Sequence, residues 1–262
     1  MPKTIHFISI SDTHRLHSRV ERDHERSRDR QMKQEMSMAD EQPLKIWGAG
    51  TTRTFRPIWI AEELGLGYEH LAIGPRTGET QAAEFTQLNP KQKIPYLVDG
   101  DVRLSESVAI SRYLIERYGQ PSTIAAPTSL EARAKEDEWV CYVYGELDET
   151  SLYVMRRHGD LKEIFGEAPE AVQSSKAYAQ KHLQVIASQI GDRAFVLGER
   201  LGLADVILMS CLDWAVHYGI ELPDPLARYK ERLSRRDAYR RAFTANYAGL
   251  LKEAQGWDHS MA

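Results

Sequence analysis

Between residues 44 and 118 the apolar and polar positions change period several times. Beyond residue 130 a helical period runs almost to the end of the chain. Leu44-Lys45-Ile46-Trp47 predicts a short buried strand, and Gly48–Arg53 the loop after it. Thr54–Leu64 has helical spacing; Pro57 is tolerated in its first turn, and Gly65 and Gly67 stop it. Tyr68–Ile73 predicts a second strand and Gly74–Thr86 a polar loop or irregular helix. Ile94–Val98, the Asp99-Gly100 turn and Val102–Leu104 then predict a hairpin, closed by a helix over Ser107–Tyr118. Alternating elements, then a hairpin and a helix, predict a βαβ–ββα unit.

Gly119–Pro127 is rich in chain breakers and predicts a linker. After it come long helical runs over Leu130–His158, Ala171–Ile190 and Leu203–Tyr218, the last apolar on most sides, and further helices over Pro223–Ala248. The expected division is therefore 42–120 for the mixed unit and 127–255 for an all-helical one. In Phe195–Val206, Asp205 is placed to cap the helix that follows from its third position, with Gly202 at the cap and Leu201 able to staple onto Val206.

The 262 residues are enough for two units of ordinary size. A formal charge of −4 leaves no electrostatic footprint for nucleic acid or an anionic membrane, and no apolar run approaches the ~20 residues of a membrane-spanning helix. Cys141 and Cys211 are too few for a disulfide framework and fit a reducing cytoplasm.

The chemistry is concentrated between Leu88 and Leu114. Pro95, inside an apolar strand, removes a ladder hydrogen bond and leaves the Ile94 backbone to pair with something other than the sheet. Glu106 and Ser107 open a helix whose free N–H groups suit a carboxylate. A strand edge beside such a helix end fits a small peptide with free carboxylates.

Leu88-Asn89-Pro90-Lys91-Gln92-Lys93-Ile94-Pro95 and Glu106-Ser107-Val108-Ala109-Ile110 resemble the glutathione site of the cytosolic glutathione S-transferases, and the likeness extends from about Leu44 to the end. It implies an α+β thioredoxin-like domain followed by an all-α domain, a cytoplasmic homodimer, glutathione as co-substrate, no metal, and transfer of the thiolate to a hydrophobic electrophile in detoxification. It also implies that Ile94, before a cis Pro95, pairs with the cysteinyl unit of glutathione. Glu106 and Ser107 would hold the γ-glutamyl end and Lys93 the glycyl carboxylate; Gln81 stands where relatives often carry a basic residue. The thiol-activating position falls in the loop after the first strand, where this chain has Thr51 and Thr52, with Arg53 a third donor within reach. A hydroxyl and a helix N-terminus together lower a thiol from its free pKa of about 8.5. Thr52 is favoured; capping of the first helix is the competing role for both threonines. The second substrate is expected against the helix from Leu130, whose aromatic supply includes Trp139, Tyr142, Tyr144 and Tyr153, with Arg156, Arg157 and His158 at its far end. A non-catalytic interaction or regulatory protein of the same fold is the alternative; isomerase or thioether lyase chemistry would keep the same site.

Residues 1–37 read differently. Ile5–His14 ends in Asp-x-His, as in metallophosphoesterases, but the further ligand blocks such enzymes need are absent from the sequence. The mixed-charge run that follows predicts disorder, without the apolar region of a secretory signal; Asp23, Glu25 and Asp29 argue against a transit peptide. A natural start at Met36 or Met38 rather than Met1 is the simplest expectation.

Overall fold

Thr51 begins the first helix two residues ahead of its apolar period, because its side chain caps that helix. Its hydroxyl accepts the Thr54 N–H at 3.0 Å, while the Thr51 N–H donates to Thr54 Oγ1 at 3.1 Å. In the computed structural model, which describes residues 43–253, strand β1 (Leu44–Trp47) leads into this helix, α1 (Thr52–Leu64), and then into β2 (Tyr68–Leu71). The readings made of residues 1–37 lie outside the described residues.

The polar stretch that follows is ordered as a 3₁₀ turn, Glu79–Gln81, and helix α2 (Ala83–Leu88). Strands β3 (Tyr96–Asp99) and β4 (Val102–Ser105) and helix α3 (Ser107–Tyr118) complete a four-stranded sheet in the order β2-β1-β3-β4. β1 runs parallel to β2 and antiparallel to β3, with Trp47 opposite Tyr96. This is the thioredoxin-like arrangement. β3 begins two residues later than the apolar pattern predicts, after a cis Ile94–Pro95 bond.

The helical part departs from its expectation in one respect. Leu130–His158 is not one regular helix. α4 (Leu130–Tyr142) widens into π-helical turns over Val143–Leu152, returns to α geometry in α5 (Tyr153–Met155) and widens again over Arg156–Asp160. Widened turns shift every later side chain around the helix axis, so a 3.6-residue period cannot tell which face those residues occupy. α6 (Lys162–Phe165), α7 (Pro169–Ile190), α8 (Leu203–His217), α9 (Asp224–Ser234) and α10 (Asp237–Glu253) follow. Asp205 caps α8 as the sequence predicts, accepting the Gly202 N–H at 2.8 Å and the Val196 N–H at 2.7 Å.

Among the described residues, those from Leu44 to Val98 and from Val102 to Glu253 form one compact unit. Its core is continuous from Ile46 and Leu97 in the sheet, through Ile58 and Trp59 of α1, to Val206–Met209 of α8. α10 packs back onto α1: Phe55 and Trp59 meet Tyr239 with ring centroids 5.2 and 5.1 Å apart. Glu63 closes this contact with a bidentate pair to Arg236. Among the described residues no helix is long and apolar enough to cross a membrane.

Candidate functional site

The N-terminus of α1, the segment before β3 and the widened helix after α4 converge on a cavity of about 180 Å³. Thr51, Thr52 and Arg53 line it from one side, and Gln81, Lys93 and Ile94 from another. Tyr153, Arg156, Phe165 and Trp214 line the rest. A second cavity, of about 240 Å³, shares Thr51, Thr52, Arg156 and Trp214 and continues to Phe243 and Tyr247.

The two threonines have different surroundings. The Thr51 hydroxyl is occupied in the cap, 3.0 Å from Thr54 Oγ1. Asn246 of α10 clamps the same turn: its Nδ2 donates to the Thr51 carbonyl at 3.0 Å, and its Oδ1 accepts from Thr54 Oγ1 at 2.7 Å. The Gly50 N–H donates to the Asn246 carbonyl at 2.8 Å. Thr52 is the first residue of the helix proper, half-buried at the cavity wall, and its hydroxyl has no hydrogen-bond partner among the described residues. Nothing in the sequence signals the role of Asn246.

Ile94 stands just before β3, outside the ladder, and Gly48 is the residue that lets it approach. A Cβ on Gly48 would fall 2.7 Å from Ile94 Cβ, and its φ of +114° is glycine territory. Asn89 Nδ2 holds the Lys93 carbonyl at 2.8 Å, which fixes this segment, and the Lys93 side chain is exposed at the cavity. Gln81 Nε2 donates to Thr80 Oγ1 at 2.7 Å.

Glu106 precedes α3 with φ 74°, an unusual conformation for a residue bearing a Cβ. Its carboxylate pairs with Lys91 at 2.5 Å, with both side chains more than half exposed, so the pair is cheap to separate. Ser107 is buried, and its Oγ accepts from Arg56 Nη1 at 3.1 Å. Its single hydroxyl proton is therefore directed elsewhere.

Arg56 is itself fully buried. Its Nε donates to Ser210 Oγ at 2.8 Å and its Nη2 to Asp148, which is also fully buried. Arg53 reaches the same carboxylate, pairs with Glu149 at 3.0 Å and lies over the Tyr153 ring at 4.5 Å. Arg53 is thus tied to two carboxylates in the widened helix, and it meets the cavity as a braced wall. Burial alone would raise the Asp148 carboxyl; the charges of Arg56 and Arg53 overcome this and hold it below its ordinary range. This network was not anticipated from the sequence.

Trp139 and Tyr142 are not among the residues lining either cavity. Trp139 belongs to the core, and the Tyr142 hydroxyl meets His182 Nδ1 at 2.8 Å. The aromatic wall is Tyr153, Phe165 and Trp214, because the widened turns after α4 carry Tyr142 and Tyr153 to different faces. Burial pushes the Cys211 thiol up to about 12, which leaves it a neutral apolar group. Among the described residues no group of three or more His, Cys, Asp or Glu is arranged to hold a metal.

Comparisons with known proteins cover the same stretch of the chain. Residues 42–116 match the family model described as glutathione S-transferase, N-terminal domain, and residues 109–237 that of the C-terminal domain. A curated relative, glutathione S-transferase theta-1 from Bos taurus, is 31% identical over 185 residues, which is 68% of this chain and 77% of the relative. The apo structure of human glutathione S-transferase T1-1 superposes with a TM-score of 0.67 at 25% identity, covering 80% of this chain and 90% of that one. A glutathione transferase family member from Pseudomonas fluorescens, solved with two glutathione bound, superposes with a TM-score of 0.67 at 21% identity, covering 77% and 92%.

Proposed function

The chain belongs to the glutathione S-transferase family, and from that premise we propose that it binds glutathione along the Ile94 edge and activates the thiol with Thr52. It is a glutathione transferase. The observation that carries the residue assignment is the contrast at the start of α1: the Thr51 hydroxyl is occupied in the cap, whereas Thr52 faces the cavity without a partner among the described residues.

In the proposed pose the cysteinyl backbone of glutathione continues the sheet at Ile94, and Lys93 faces the glycyl carboxylate. The Ser107 hydroxyl, an acceptor toward Arg56, donates to the γ-glutamyl carboxylate, assisted by the free N–H groups that open α3. Glu106 takes the γ-glutamyl ammonium by exchanging its exposed partner Lys91. The sulfur then lies over the N-terminus of α1, where the Thr52 hydroxyl and the positive end of the helix stabilise its anion. Each unit by which the bound thiol falls below the free value corresponds to about 1.4 kcal/mol of preference for the thiolate. The same reading includes the domain division at 42–120 and 127–255, a homodimer, and a cytoplasmic setting.

Calorimetric titration of the full chain with glutathione, alongside the ultraviolet thiolate band as pH falls, tests this reading. Binding with the band persisting at least one unit below the free thiol pKa is expected. Absence of binding at millimolar glutathione would overturn the assignment of the site, and binding without a shift would remove Thr52 from its role.

A further inference from the structure

The cavity proposed for glutathione carries more positive charge than glutathione neutralises. Its walls contain Arg53, Arg76, Lys93 and Arg156, and no carboxylate. Arg53 is matched by Asp148 and Glu149. Arg76, Lys93 and Arg156 have no ion pair and no side-chain hydrogen bond among the described residues. Glutathione bound as its thiolate brings a net charge of about −2 at neutral pH, from the glycyl carboxylate and the sulfur. One cation is left over.

Position sets Arg156 apart from the glutathione end. Lys93 adjoins Ile94, whereas Arg156 lies on the widened helix beside Tyr153 and lines both cavities. Arg76 reaches the same space from the loop after β2, held at φ 64°, a conformation that residues other than glycine seldom adopt. The two guanidiniums are close enough to act on each other: after burial, the charge of Arg156 contributes to lowering Arg76 from its ordinary range. Asp160, one turn beyond Arg156, lines the adjoining cavity; it accepts the Tyr218 hydroxyl at 2.6 Å and makes no ion pair with Arg156. Arg76 and Arg156 thus stand beside an aromatic wall with no counter-ion among the described residues, and bound glutathione leaves one positive charge of the cavity unneutralised.

We propose that Arg156 and Arg76 form an anion subsite for the second substrate, so that the preferred electrophile is an aromatic compound bearing a carboxylate or a similar monoanionic group. The aromatic ring lies against Tyr153, Phe165 and Trp214, and its anionic substituent lies between the guanidiniums. This rests on the transferase reading and narrows it.

The test uses 4-chloro-3,5-dinitrobenzoate and its neutral methyl ester. In both, the glutathione sulfur donates its electron pair to the carbon bearing chlorine, the carbon–chlorine bond breaks, and chloride leaves with its pair. With each kcat/KM divided by the rate constant of the uncatalysed reaction of the same compound with glutathione, the wild-type chain is expected to favour the benzoate at least tenfold. That preference should shrink as ionic strength rises, and Arg156→Gln and Arg76→Gln should each reduce it at least fivefold. A wild-type ratio at or below one would overturn the proposal. So would a ratio unchanged in both variants, since Arg156 would then be serving the thiolate and both electrophiles would suffer alike. If neither compound is turned over, calorimetry of the two preformed glutathione conjugates reads the same preference in binding. Glutathione titration on the same samples shows separately whether the underlying site exists.

Discussion

Replacing Asp148 by Asn isolates the least replaceable interaction beneath the site. Asp148 and Arg56 are both fully buried, so in D148N the Arg56 guanidinium keeps its charge, loses its counter-ion and has no route to water. Arg53 is about a quarter exposed and can be hydrated, so the cost arises mainly at Arg56. Removing one partner of a buried pair costs about 3–5 kcal/mol, whereas replacing both by apolar residues of similar volume is near neutral. For a chain of this size each kcal/mol moves the melting midpoint by roughly 2–4 °C, so D148N should melt roughly 10 °C below wild type. The effect depends on pH with a definite sign. The Asp148 carboxyl is depressed in the folded state, so its stabilisation is complete above its unfolded value near pH 4 and is lost as pH falls through the folded value. The gap between wild type and D148N should therefore narrow in acid. Urea unfolding at fixed protein concentration, with D148N, R56M and the R56M/D148L double variant, reads these quantities. A D148N loss below about 1 kcal/mol, or a double variant as unstable as the sum of the singles, would refute the reasoning. Because Arg56 also orients Ser107, D148N should raise the glutathione KM as well.

Three other outcomes follow from the geometry. Thr52→Ala should raise the bound thiol pKa by about one unit, a loss of ~1.4 kcal/mol of thiolate preference read from the thiolate band, and Thr52→Ser should restore most of it. Asn246→Ala removes both side-chain bonds to the 51–54 turn and should lower kcat at nearly unchanged glutathione KM in steady-state kinetics; a change confined to thermal stability would count against a positioning role. Burial pushes the Asp205 carboxyl up to about 6, against hydrogen bonds from Tyr229, Val196 and Gly202 that oppose the rise. Its contribution to stability is therefore complete below its unfolded value and declines as pH rises through about 6, by about 3 kcal/mol in all. Carboxyl NMR should show one Asp titrating near that pH.

What was legible in the sequence is what depends on neighbours along the chain. The hairpin, the helix over Ser107–Tyr118 and the Asp205 cap all rest on residues within a few positions of one another; the helix and the cap stand where the pattern places them, and the hairpin does so apart from the later start of β3. The residues proposed for glutathione can be named from the sequence for the same reason, since Lys93, Ile94 and Ser107 lie in one stretch of the chain. What was not legible crosses the chain. Asp148 meets Arg56 over a separation of 92 residues, and Asn246 meets Thr51 over 195. Of the aromatic residues expected along the helix from Leu130, Tyr153 lines the cavity and Trp139, Tyr142 and Tyr144 do not, because widened turns change the register of the helix and hydrophobic period does not reveal them.

The two threonines show how little sequence distance a structural difference needs. Thr51 sits in extended backbone, φ −132°, ψ 155°, so its side chain folds back over the first turn and its oxygen meets the Thr54 N–H. Thr52, one residue on, has entered the helix, and the capping site is already filled by its neighbour. The clamp from Asn246 fixes where this change of backbone conformation occurs, because it holds the Gly50 N–H and the Thr51 carbonyl on either side of the cap. A hydroxyl at the first helical position is then presented beside N–H groups that the helix leaves open, which is the polarity an anionic sulfur requires. Exchanging the roles would require moving the helix start, not the residue type. Thr51→Ala should therefore act mainly through lost capping, at about 0.5–2 kcal/mol of stability.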